Sequence, residues 1–120
     1  MNWTLMLAKK GTLKLFTEYK TAIIKYLLNN TEKGQGSGKV WQALQDQGVT
    51  VSRASVIFFL NFMVDDGLCI FTDATGKGGH HRLYSLAHDW EGVKRHLKIR
   101  IIEGLGEALE DDVSDLLEML

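Results

Sequence analysis

The chain has 120 residues, 45% of them hydrophobic, which is one domain's length with a modest core. Its lone cysteine, Cys69, excludes an internal disulfide and a multi-cysteine zinc site and points to a reducing compartment. Apolar runs such as 56–60 are far too short to cross a bilayer, and no basic segment precedes an apolar run near Met1. A soluble cytoplasmic domain is expected. The net charge of −1 hides an asymmetry: residues 1–100 hold 14 Lys and Arg against 8 Asp and Glu, +6, whereas residues 101–120 hold 7 acids and no base, −7. A basic working domain with an acidic tail is the expected organisation, with a plain solvated acidic helix as the alternative for the tail.

Residues 1–16 form an arm of ambiguous structure. Trp3, Leu5 and Leu7, then Leu13 and Leu15, alternate as strands do, while Trp3, Met6 and Leu7 also fit a helical face. From Thr17, a possible N-cap, Ala22, Ile23, Tyr26, Leu27 and Asn30 lie on one helical face. The polar, glycine-rich stretch NNTEKGQGSG, 29–38, reads as a loop. Ser37 is placed to cap a second helix with Val40, Trp41 and Leu44 inward, closed by Gly48. Ser52 is placed to cap a third helix running to Asp66, with Gly67 as its stop. Leu68, Ile70 and Thr72 then alternate as a strand, DATGKGGH forms a hairpin loop, and Arg82, Tyr84 and Leu86 lie on the return strand. A last helix starts near His88 or Asp89 and carries Trp90, Val93, Leu97 and Ile101 on one stripe and Ile99, Ile102 and Leu105 on another. Beyond an interruption at Gly104 and Gly106, Leu109, Val113, Leu116, Leu117 and Leu120 suit an amphipathic acidic helix.

That order governs the chemistry of TGKGGHHRLYSL, 75–86. A phosphate-cradling loop needs its glycines between a strand and a helix with Ser or Thr after the lysine, but this run leads into a second strand. GQGSGKV does open a helix, yet Lys33 stands where the first glycine belongs and Val40 replaces the hydroxyl. His80 and His81 are strand neighbours pointing to opposite faces, and no Cys or carboxylate lies at ligand spacing from His88 or His96. Cys69 in LCIF reads as a small buried hydrophobe. No nucleophile–base or paired-carboxylate spacing is present. A non-enzyme without cofactor or metal is expected.

SRASVIFFLNFMVDDGL followed by the TGKGGHHRLYSL hairpin resembles the winged-helix transcriptional regulators of the penicillinase-repressor type, and more loosely the MarR type. Leu60, Met63, Val64, Gly67, Leu68, Tyr84 and Ser85 carry the likeness, which covers about residues 17–100. The resemblance implies a sequence-specific, usually dimeric DNA-binding repressor with a C-terminal helical dimerisation element. The expected fold is mainly α (α+β): a winged helix-turn-helix over 17–87 with a two-stranded β-hairpin wing, and a C-terminal dimerisation segment over 88–120.

With Val56 set inward, a rotation of about 100° per residue puts Leu60, Met63 and Val64 inward and Ala54, Ser55, Phe58, Asn61 and Phe62 outward. Arg53, Ser55 and Asn61 are the candidates for base edges in double-stranded DNA. Lys39, Lys77 and Arg82 are the candidates for phosphate contacts, with ordinary solubility charge as the plain alternative for any one of them. Phe58 and Phe62 are unusual in a groove-reading helix, and one or both are expected to pack under the wing or the N-terminal segment. Exposed together, they would mark a protein-binding patch and a winged helix used inside a larger assembly. Trp90, Val93, Leu97, Ile101, Leu109, Val113 and Leu116 are expected at a homodimer seam, the alternative being packing on the chain's own core.

Overall fold

The computed structural model describes residues 6–7, 13–14, 18–76, 79–110 and 112–119. By contact density the chain divides into two compact units, residues 18–89 and the two terminal segments taken together.

The central unit begins with α1 (Glu18–Asn29), which buries Ala22, Ile23, Ile24 and Leu27. Thr17, the expected cap, lies outside the described residues. Within the segment expected to be loop, Gln35–Gly36 form a short strand, β3, antiparallel to the hairpin's return strand. Its polar sequence hides it, because what holds it is a buried amide rather than an apolar pattern. Gln35 is 6% exposed; its Oε1 accepts from the Tyr26 hydroxyl at 2.8 Å and its Nε2 donates to the Lys33 carbonyl at 3.0 Å.

α2 (Ser37–Asp46) buries Val40 and Leu44, with Trp41 half-buried and donating its indole N–H to the Val51 carbonyl at 2.8 Å. Ser37 is its first helical residue rather than its cap: Gly36, extended by its pairing in β3, takes the N-cap position and no side chain caps. Ser52 does cap α3 (Arg53–Asp65), accepting from the Ser55 amide at 3.1 Å. Both helices end alike. Gly48 and Gly67 take φ of 81° and 84°, left-handed values that glycine adopts without penalty. The next amides, Val49 and Leu68, fold back to the Leu44 and Met63 carbonyls at 3.0 and 2.9 Å. This paired C-terminal motif buries the apolar residue after each glycine against the helix it closes.

β4 (Cys69–Gly76) and β5 (Gly79–Leu86) pair along their whole length, giving a three-stranded sheet in the order β3-β5-β4 rather than a bare hairpin. The hairpin connection is far shorter than DATGKGGH. Gly76 pairs with Gly79, so only residues 77 and 78 stand between the strands. The expected alternation in β4 is also displaced. Leu68 is consumed by the close of α3, so Cys69 takes the inward position and Ile70 is left 55% exposed.

The core between these elements contains Val56, Phe59, Leu60 and Met63 of α3 with Ile23, Leu27, Val40, Leu44 and Leu68. Tyr19 meets Phe59 edge-on at 6.4 Å between centroids.

In the terminal unit, β1 (Met6–Leu7) and β2 (Leu13–Lys14) pair antiparallel. The expectations on Trp3, Leu5 and Leu15 lie outside the described residues. α4 runs unbroken over Trp90–Leu109, correcting the expected interruption at Gly104 and Gly106. Each glycine costs a helix only about 1 kcal/mol against alanine, which a 20-residue helix with buried positions absorbs. The acidic helix beyond it shrinks to α5, Ser114–Glu118, entered where Asp112 accepts from the Ser114 amide and hydroxyl.

Candidate nucleic-acid interface

Three helices packed so that the third follows a tight turn from the second, then a sheet whose long hairpin projects beside that third helix, define a winged helix. The elements of interest are α3 and the hairpin.

Arg53 stands exposed in the first turn of α3, its guanidinium 6.0 Å from the Trp41 ring centroid. Lys39 is exposed in the first turn of α2. Ser55 is half-buried and tied into the cap, its hydroxyl 3.0 Å from that of Ser52. Asn61 is turned toward the wing. Its Oδ1 accepts from the Tyr84 hydroxyl at 2.6 Å and from the Arg82 guanidinium at 3.0 Å. Arg82 also lies over the Phe71 ring at 3.9 Å from its centroid, close for a cation–π contact. The residue expected to grip phosphate and the residue expected to read adenine are therefore bonded to each other. Burial raises the Tyr84 hydroxyl above its ordinary pKa, against the opposing charge and hydrogen bond of Arg82 and the bond to Asn61. Lys77 lies outside the described residues.

The outer face of α3 is apolar. Ala54 is exposed, Ile57 is 36% exposed and Phe58 67%. Of the two outward phenylalanines, Phe58 is the one left in water. Phe59, one position on, fills the core, and a neighbouring aromatic 100° around the helix is carried away from it. Phe62 is half-buried and stacks on Phe59 at 6.1 Å.

The charge map also departs from expectation. Residues 18–89 carry 7 Lys and Arg and 7 Asp and Glu, a net charge of zero. The +6 of residues 1–100 comes instead from Lys9, Lys10 and Lys14, and from Lys94, Arg95, Lys98 and Arg100 offset by Glu91. Dividing the sequence at residue 100 conceals this, whereas dividing it at the helix boundaries reveals it.

Of the residues expected at a dimer seam, Val93 is fully buried in the single chain and is not available to a partner. Leu97, Ile101 and Val113 are half-buried. Trp90, Leu109 and Leu116 are 52%, 68% and 45% exposed, joined by Met119 at 80%, which the sequence pattern did not single out.

No family model matches the chain, and no curated protein matches it. Among solved structures it is similar to the ferric uptake regulator of Francisella tularensis, solved with iron, with a TM-score of 0.51 and 21% identity over 84% of this chain and 86% of that one. The Vibrio cholerae ferric uptake regulator gives a TM-score of 0.49 and 21% identity over 62% of this chain; the match spans 55% of that protein. The likeness is one of fold. It supports a winged helix and does not extend to the penicillinase-repressor or MarR type. Among the described residues no three His, Cys, Asp or Glu side chains come together to hold a metal. No helix among the described residues is long and apolar enough to cross a membrane.

Proposed function

We propose that the chain is a homodimeric, sequence-specific DNA-binding transcriptional regulator, acting as a repressor. The observation that carries this reading is the uncovered outer face of α3 held beside a long exposed hairpin. A major groove admits one α-helix, and a hairpin anchored to that helix can lie along the flanking backbone. Arg53 and Ser55 at the capped N-terminus of α3 are the base-edge candidates, and Lys39 and Lys77 the phosphate contacts. Arg82 and Asn61 serve this surface from behind, by fixing the angle between helix and wing. Because the winged-helix unit is itself neutral, long-range attraction to DNA falls to Lys9, Lys10 and Lys14 and to the basic half of α4.

The test is titration of labelled duplex DNA at several salt concentrations. Each neutralised phosphate adds about −0.9 to the slope of log K against log salt, so about six contacts in a dimer give a slope near −5. No binding at about 50 mM salt overturns the reading. A protein-docking winged helix is the second reading, favoured by Phe58 and by the neutral charge of residues 18–89.

A further inference from the structure

Of the polar side chains that could read bases from this helix, Asn61 is occupied and Ser55 is tied into the cap, which leaves Arg53. Reading adenine takes both ends of an asparagine amide, the oxygen accepting from N6 and the nitrogen donating to N7. Asn61 Oδ1 has two lone pairs, and Tyr84 and Arg82 fill them at 2.6 and 3.0 Å. Ser55 is bonded to Ser52. What α3 presents outward between Arg53 and Asp65 is chiefly Ala54, Ile57 and Phe58.

We infer that α3 reads its operator through Ala54, Ile57 and Phe58 against thymine C5-methyl groups, with Asn61 withdrawn from base readout as a positioning residue for the wing. This rests on the DNA-binding reading above. The thymine methyl is the apolar feature among the groups that base pairs present in the major groove. Spacing agrees: Ala54 and Phe58 are four residues apart, about 6 Å along the helix, close to two base-pair rises of about 3.4 Å each. Polarity at the rim agrees as well. Arg53, the one cation on α3 itself, stands at the N-terminal end of the apolar strip and Asp65 at the far end.

The experiment selects tight-binding duplexes from a random-sequence pool with the full chain, then replaces thymines with uracil, which pairs identically but lacks the methyl. The expected result is recurrent thymines about two steps apart, each losing about fourfold in affinity as uracil, the factor that corresponds to one buried methyl group. Phe58→Ala, at an exposed position that does not endanger folding, should weaken binding and abolish the uracil penalty at one of these steps. Asn61→Ala should weaken selected and random duplexes alike, and Asn61→Asp, which keeps the acceptor for Tyr84 and Arg82, should retain the wing's position as read by protection of β5 amides from hydrogen exchange. Equal affinity for the thymine and uracil duplexes overturns methyl readout while leaving the DNA-binding reading intact. Failure to enrich or bind any duplex at about 50 mM salt overturns both, and gives the apolar strip to a protein partner.

Discussion

Asn61 on α3 and Tyr84 on β5 are joined by a 2.6 Å hydrogen bond, the Tyr84 hydroxyl donating to the Asn61 amide oxygen. Since Tyr84 is 3% exposed and its register neighbours are Phe71 and Gln35, this one bond ties the outward helix to all three strands of the sheet. Tyr84→Phe should therefore cost about 1 kcal/mol, the net worth of the bond. Asn61→Ala should cost more, about 1–3 kcal/mol, because it leaves a buried hydroxyl without that acceptor. Asn61→Asp should cost least of the three. Urea denaturation of the variants measures the order, and Tyr84→Phe proving worse than Asn61→Ala would show that the Tyr84 hydroxyl contributes more than its bond to Asn61.

Gly34 gives a second mechanical test. A Cβ there would stand 2.7 Å from Leu83 Cβ and 3.2 Å from the Leu83 carbonyl carbon, so backbone as well as side chain is in the way. Gly34→Ala should force β3 away from β5 and cost about 1–3 kcal/mol, the usual penalty for overpacking. Gly104→Ala, which meets nothing within 4 Å, should stabilise instead by up to about 1 kcal/mol through helix propensity. Thermal unfolding of both variants measures the contrast, and a neutral Gly34→Ala would mean that β3 is not held against Leu83.

Cys69 makes stability depend on alkaline pH. Burial pushes its thiol from the ordinary 9.0 up to about 12. The folded chain keeps its proton where the unfolded chain has lost it, so the contribution is complete below pH 9 and falls as pH rises toward 12. The loss for this group reaches about 4 kcal/mol across that window, at about 1.4 kcal/mol per pH unit. Tyr84, raised from 10.0, adds to the decline at its upper end. Cys69→Ala should flatten the fall measured by urea titrations between pH 8 and pH 11, at a cost near neutrality from the lost side chain. An unchanged slope would place the thiol in contact with water.

The turns of this fold are legible from sequence because single residues decide them. Gly48 and Gly67 are needed for left-handed φ, and Ser52 for its hydroxyl, and each acts within a few positions of itself. β3 was not legible. A strand of two residues, Gln35 and Gly36, has no period, and its existence depends on Tyr84 and Leu83 far along the chain. The same is true of Asn61: helical spacing places it outward correctly, but its partners lie 21 and 23 residues away, and nothing local distinguishes a base reader from a strut. Helical spacing from Val56 puts Phe58 and Phe62 outward, and the buried phenylalanine of the three is Phe59.

Assembly is tested at the terminal unit. α4 and α5 leave Trp90, Leu109, Leu116 and Met119 between 45% and 80% exposed. A large aliphatic or aromatic side chain left in water forgoes about 1.5–3 kcal/mol of burial, so four of them supply a strong drive for self-association. On the DNA-binding reading proposed above, two-fold symmetry in the dimer would be mirrored by a near-palindromic site. Light scattering on the full chain at micromolar concentration should return a dimer mass. Leu109→Glu with Leu116→Glu should return a monomer with unchanged helicity, since neither side chain is buried in the single chain. A full-length monomer would refute the dimer. A double variant that stays dimeric would move the interface off these two residues to Trp90 or the N-terminal segment.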